Sequence, residues 1–199
     1  LWLKQLTLFV NLLELIILAK VFYDLLKSVG KAEILSKYAS VMFLAGAEIW
    51  IFLNLVLAII MSVPVWNSYI HGTYIVTAHA MGSTIGINSF ILLAGVFFDL
   101  ENKNAFLHNK LLKNSFILLN CLLFIFWVAL IYAGWIRADM TLKSTGLDFQ
   151  GMSEKIKPAL VLFSFAGIMM AVLILIILIP PSKKLLHIFH SYKIKPSEN

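Results

Sequence analysis

The sequence predicts an all-α polytopic transmembrane helix bundle, a single domain over residues 1–199, and three observations predict it. Hydrophobic residues make up 61% of the 199 and charged residues 13%, about half the roughly 25% of a soluble domain and too few to cover a water-facing surface. Mean hydropathy is +0.92, which also excludes disorder, a state that needs low hydrophobicity and high charge. The apolar residues fall in five continuous runs, each close to the about 20 residues that cross roughly 30 Å of hydrocarbon. Membrane β-strands would be about 10 residues long and strictly alternating. Backbone groups in lipid must be satisfied internally, so continuous runs of this kind are helices.

The spans, A to E, cover about residues 6–26, 38–63, 73–98, 115–136 and 158–179. Pro64 ends B. Pro158 sits in the first turn of E, where a missing N–H costs nothing, and Pro180-Pro181 stops E. Orientation follows from the loops. Lys27, Lys31 and Lys37 lie between A and B; Lys103, Lys110 and Lys113 between C and D; Lys183, Lys184, Lys193 and Lys195 in the tail. The opposite side carries Lys4, Arg137, Lys143, Lys155 and Lys157. This bias puts the tail in the cytoplasm and the B–C and D–E loops outside. The net charge of +6 is thus a topology signal, with no patch for nucleic acid. A lone cysteine, Cys121, excludes an internal disulfide framework. The chain starts at Leu1 and an odd number of spans puts that end outside, which suits the C-terminal part of a longer chain or one subunit of a complex.

Chemistry concentrates in span C. His79 lies about six residues, roughly 9 Å, below the outer end of that helix, and an ionisable group there is a functional candidate by default. Ala78, Ala80, Gly82 and Ser83 flank it. Small neighbours admit either a close helix through Gly82-x-x-x-Gly86 or a planar cofactor, which for an imidazole means haem. Met81 projects about 200° away from His79 and is either a gap-filler or a thioether ligand. Glu14 in span A and Glu48 in span B are acids at membrane depth, candidates for proton relay or for neutral bonds to a neighbouring helix. Asn54, Asn88 and Asn120 are expected to bridge helices, and Trp2, Trp50, Trp66, Trp127 and Trp135 include belt residues near span ends. His187 and His190, at i and i+3, could bind a metal or form an interfacial helix face. No phosphate loop, dinucleotide glycine motif, zinc spacing or Ser/His/Asp arrangement occurs.

The stretch Asn67-Ser68-Tyr69-Ile70-His71-Gly72-Thr73, followed six residues later by His79, resembles the haem-copper oxidase superfamily. It is most similar to the last third of the large subunit of bacterial nitric oxide reductases. There a Tyr-x-His-Gly-Thr segment precedes a helix carrying His-x-His. The resemblance implies a five-span portion of a larger bundle in the bacterial cytoplasmic membrane. It makes His79 the proximal ligand of a high-spin haem b. Met81 stands where the family has the histidine of a second, low-spin haem b, so that haem is either held by a thioether or lost. His71 either hydrogen-bonds haem propionates or is a solvated loop residue. Glu14 corresponds to a glutamate that supplies protons, although the family's following prolines are replaced by Leu15-Ile16-Ile17-Leu18. Glu48 has no clear counterpart.

The implied reaction is reduction of NO to N2O at the high-spin haem facing a non-haem iron or copper ligated outside this segment. The implied partners are the remaining helices of the catalytic subunit, membrane lipid and an electron-donor subunit, cytochrome c or quinol. An oxygen reductase of the same superfamily is the first alternative. A cofactor-free membrane subunit or transporter bundle is the second.

Overall fold

The computed structural model describes residues 38–102, 110–143 and 149–194, with scattered helical positions between 6 and 27. Most of span A, including Glu14, lies outside the described residues. Helix α1 runs Ala39–Ser62 and the short α2 runs Pro64–Ile70. Helix α3 (Tyr74–Met81) continues through a π-helical segment (Gly82–Ser89) into α4 (Phe90–Asn102). Helices α5 (Lys110–Lys143) and α6 (Phe149–Ile194) complete the order. No strand occurs among the described residues.

Among the described residues, four helices are long and apolar enough to cross a membrane: Ala39–Ser62, Tyr74–Asn102, Lys110–Met140 and Gln150–Leu186. They correspond to spans B to E. No more than a third of any apolar window is buried inside the bundle, and Leu92, Ile168 and Leu175 are exposed. Such a surface would aggregate in water and is what lipid solvates, so the protein is an integral membrane protein.

Neighbouring helices gain little hydrophobic energy in lipid, so close packing holds the bundle together. Helices α5 and α6 lie along each other, α1 packs on α4 and on the π segment, and α3 packs on α5. Phe43 is the centre of an aromatic cluster: it stacks on Phe97 at 5.3 Å and meets Phe90 and Phe116 edge-on.

The start of α1 has no side-chain cap of its own. Glu101, at the far end of α4, supplies it: one carboxylate oxygen accepts from the Ala39 N–H at 2.6 Å and the other from the Ser40 hydroxyl. An anion suits the orphan donors and positive dipole of a helix N-terminus. Glu101→Ala should therefore lower the unfolding midpoint in detergent by an amount equivalent to about 1–3 kcal/mol. Glu101→Gln should lose less, because one acceptor remains. A midpoint unchanged in both variants would remove the carboxylate from the account.

Pro64 does end span B, and begins α2 at a position where proline fits. Asn67 donates from Nδ2 to the Met61 carbonyl at 2.8 Å, satisfying one of the last acceptors of α1. Two expectations for span E are corrected. The helix begins nine residues before Pro158, and Pro180-Pro181 lies inside it rather than at its end. Each proline removes one N–H, a loss that membrane helices tolerate where neighbouring groups satisfy the freed carbonyls, and the helix continues through Ile194. Arg137, Lys143, Lys155 and Lys157, expected in a loop, sit on the ends of α5 and α6.

Candidate functional site

The segment His71-Gly72-Thr73 is the corner where α2 turns into the spanning helix. The His71 N–H closes α2 by donating to the Asn67 carbonyl at 3.0 Å. Gly72 has φ +75°, a left-handed conformation that favours glycine. Thr73 is buried and caps the next helix: its Oγ1 accepts from the Ile75 N–H at 3.3 Å and donates to the Ile70 carbonyl at 2.7 Å. Two of the three residues thus set the corner. The His71 side chain remains exposed beside it.

His79 lies on α3, half-buried, with its Nδ1 buried and without a hydrogen-bond partner. Ala78 beneath it is fully buried, whereas Ala80, Thr84 and Asn88 form an exposed flank. Met81 is half-buried and packs against the main core.

Gly82 and Gly86 face the other way, onto α1. A Cβ at Gly86 would meet the Trp50 ring at 2.5 Å, and one at Gly82 would meet Asn54 Oδ1 at 2.7 Å and Trp127 Nε1 at 3.3 Å. Gly46, Trp50 and Asn54 follow at four-residue intervals on α1, all buried. At these two glycines the small-residue motif accommodates a helix, and no ring edge can occupy the same space. The backbone there winds as a π-helix from Gly82 to Ser89, a rare geometry that is frequent at functional sites.

Asn54 donates from Nδ2 to the Ser83 hydroxyl at 2.5 Å. Trp50 donates from Nε1 to Asn120 Oδ1 at 3.1 Å, and Asn120 donates to the Phe116 carbonyl at 2.9 Å. Asn54 and Asn120 therefore bridge helices as expected; Asn88 is exposed. Trp50 and Trp127 are core residues meeting edge-on at 6.0 Å, while Trp66 and Trp135, both exposed, pair with each other. Glu48 is half-buried on α1, with Oε2 buried and unpartnered.

No family model, curated protein or solved structure matches this chain. Among the described residues, no three of the His, Cys, Asp and Glu side chains gather as a metal site. His79 fits an axial donor to haem because its imidazole is set in an apolar span with a buried nitrogen unengaged. The glycine face does not fit a haem edge, because Trp50, Asn54 and Trp127 fill it.

Proposed function

We propose that this chain is the haem-ligating portion of a membrane oxidoreductase similar to the large subunit of bacterial nitric oxide reductases, with His79 the axial ligand of a high-spin haem b. The observation that carries this reading is the His79 imidazole, half-buried in a spanning helix with Nδ1 buried and without a partner. An unsatisfied buried polar group costs about 1–3 kcal/mol, so a side chain held this way calls for a use. The neighbouring Ala80, Thr84 and Asn88 are exposed and leave a flank of small and polar side chains beside the ring.

Haem, together with a non-haem iron or copper held outside this segment, would supply when bound the reduction of two NO with two electrons and two protons to N2O and water. The chain's own residues have simpler tasks. His79 would hold the haem iron, and the apolar helices around it exclude water. Glu48 and, in span A, Glu14 carry protons through the hydrocarbon. His71, exposed at the helix corner, offers a donor to propionate groups. Met81 would hold a second, low-spin haem b if its thioether is free of the core packing it makes here. In this reading five spans belong to a larger bundle in a bacterial cytoplasmic membrane, with the C-terminus inside. Electrons arrive from a donor subunit, cytochrome c or quinol.

A second reading, a cofactor-free bundle, is favoured by one observation: Gly82 and Gly86 are occupied by side chains of α1 and α5. Gas consumption by membranes containing the full protein separates the readings. NO uptake with matching N2O release supports the proposal. Oxygen uptake without NO turnover points to an oxygen reductase, and neither activity favours the bundle.

Met81 is tested separately. Thioether ligation raises the potential of a haem relative to bis-histidine ligation. Met81→His should lower the midpoint potential of the low-spin haem, and Met81→Leu should abolish its near-infrared charge-transfer band. If the wild type lacks that band and Met81→Leu leaves every haem spectrum unchanged, Met81 is a packing residue.

A further inference from the structure

The end of the bundle where α2, α5 and the start of α6 meet carries two adjoining cavities. The smaller, about 50 Å3, is lined by Trp66 and Tyr69 of α2 and by Trp135 and Asp139 of α5. The larger, about 310 Å3, is lined by Tyr132, Trp135 and Asp139 of α5 and by Lys155 of α6. Trp135 and Asp139 are common to both. The rings of Trp66 and Trp135 stand 6.0 Å apart with their planes tilted by 35°, and both are exposed. Tryptophans and tyrosines at span ends are ordinary interfacial anchors. Anchoring does not account for the half-buried Asp139 carboxylate set among them. Aromatic faces and a carboxylate together attract a cation, and Lys155 in the adjoining cavity attracts an anion.

A third cavity indicates what carries both charges. It is apolar, about 410 Å3, and follows α5 from Tyr132 to Phe124 against Pro158 and Leu162 of α6. Tyr132 lines both this groove and the Lys155 cavity. Residues 132 to 124 cover about 12 Å of helix at 1.5 Å per residue, close to the about 15 Å of hydrocarbon in one leaflet.

We propose that this end of the bundle binds one aminophospholipid of the phosphatidylethanolamine type. Its ammonium enters the smaller cavity among Trp66, Tyr69, Trp135 and Asp139, its phosphate lies in the larger one with Lys155, and an acyl chain follows the apolar groove below Tyr132. The short ethanolamine link suits two cavities that share a wall. The ammonium donates hydrogen bonds to the carboxylate, which accepts several at once and can be shared with protein donors. A trimethylammonium has no N–H to donate. It is also much bulkier than the one or two waters, roughly 30 Å3 each, that the smaller cavity would hold. An anionic lipid without an amine would leave Asp139 facing a phosphate with no cation between them. This inference does not depend on haem.

The test is native mass spectrometry of the full chain released from detergent micelles and titrated with lipids of identical acyl chains. One phosphatidylethanolamine should bind roughly fivefold more tightly than phosphatidylcholine or phosphatidylglycerol, a discount for partial exposure on the about tenfold that a charge-assisted hydrogen bond supplies. Asp139→Asn, which keeps the shape of the side chain, should abolish that preference. Lys155→Gln should weaken phosphatidylethanolamine and phosphatidylcholine alike, because both carry the phosphate. Soluble phosphoethanolamine at the lipid's concentration should not displace the lipid; if it does, the acyl groove contributes nothing and the lipid is the wrong source. Equal binding of the three lipids to the wild type would overturn the proposal and leave ordinary solvating lipid, a comparison that needs no variant to fold. A preference unchanged in Asp139→Asn would equally overturn it.

Discussion

If His79 holds a haem as proposed, His79→Ala should remove the high-spin haem and all turnover while the spanning helices stay assembled. The expectation follows from the position of the residue. Its imidazole is half-buried in an otherwise apolar helix and its Nδ1 makes no hydrogen bond, so truncation breaks no polar contact that holds helices together. Ala78, the fully buried residue next to it, carries the packing and is untouched. Truncation of a half-buried ring leaves space, but the cost should stay within the common range of about 0.5–3 kcal/mol for single substitutions. A haem iron held as proposed would, in contrast, lose its donor from this chain. Electron paramagnetic resonance should show the high-spin ferric signal gone, and circular dichroism should show the helix content kept. Full retention of that signal in His79→Ala would sink the assignment.

Gly134→Ala should damage the fold more than any other glycine-to-alanine change with a described environment. A Cβ there would lie 2.5 Å from the backbone nitrogen of Ile75 and 3.1 Å from the carbonyl carbon of Tyr74. Neither atom belongs to a side chain that can rotate away. Helix α3 must move bodily off α5, and with it the corner that presents His71 and the turn that presents His79. Overpacking of this kind costs typically about 1–3 kcal/mol, occasionally more. Gly95→Ala is the matched control, because nothing lies within 4 Å of its Cβ position. The unfolding midpoint in detergent should fall clearly for Gly134→Ala and hardly at all for Gly95→Ala. Equal midpoints in the two would contradict the close crossing of α3 and α5.

What the sequence disclosed divides along physical lines. Lipid imposes long apolar helices, so hydropathy alone located spans B to E to within a few residues at most ends. It misjudged span E, because a Pro-Pro pair interrupts hydrogen bonds without dictating that the chain leave its helical path. It could not say which side of a helix faces protein. Trp50 and Trp127 looked like any other tryptophans, yet both are core, while Trp66 and Trp135 sit exposed near helix ends. The i, i+4, i+8 series Gly46, Trp50, Asn54 held a signal: three residues unsuited to facing lipid on one stripe of a spanning helix.

The candidate site was legible only in part. A histidine at membrane depth stands out by cost alone. The small residues after it were ambiguous, because glycine spacing looks the same whether it admits a helix or a cofactor. The change to π winding at Gly82 also alters which of the residues after it share a face. The cap from Glu101 onto Ala39 and Ser40 joins residues about sixty apart in sequence, and no local pattern announces it.

The central claim, that this chain binds haem, is tested most directly by one optical measurement on the purified full protein. A reduced-minus-oxidised spectrum, with a pyridine haemochrome of the same preparation, should show a Soret band and b-type haem. A colourless preparation, intact and helical, would contradict the claim and leave the apolar bundle with its buried polar bridges as the whole account.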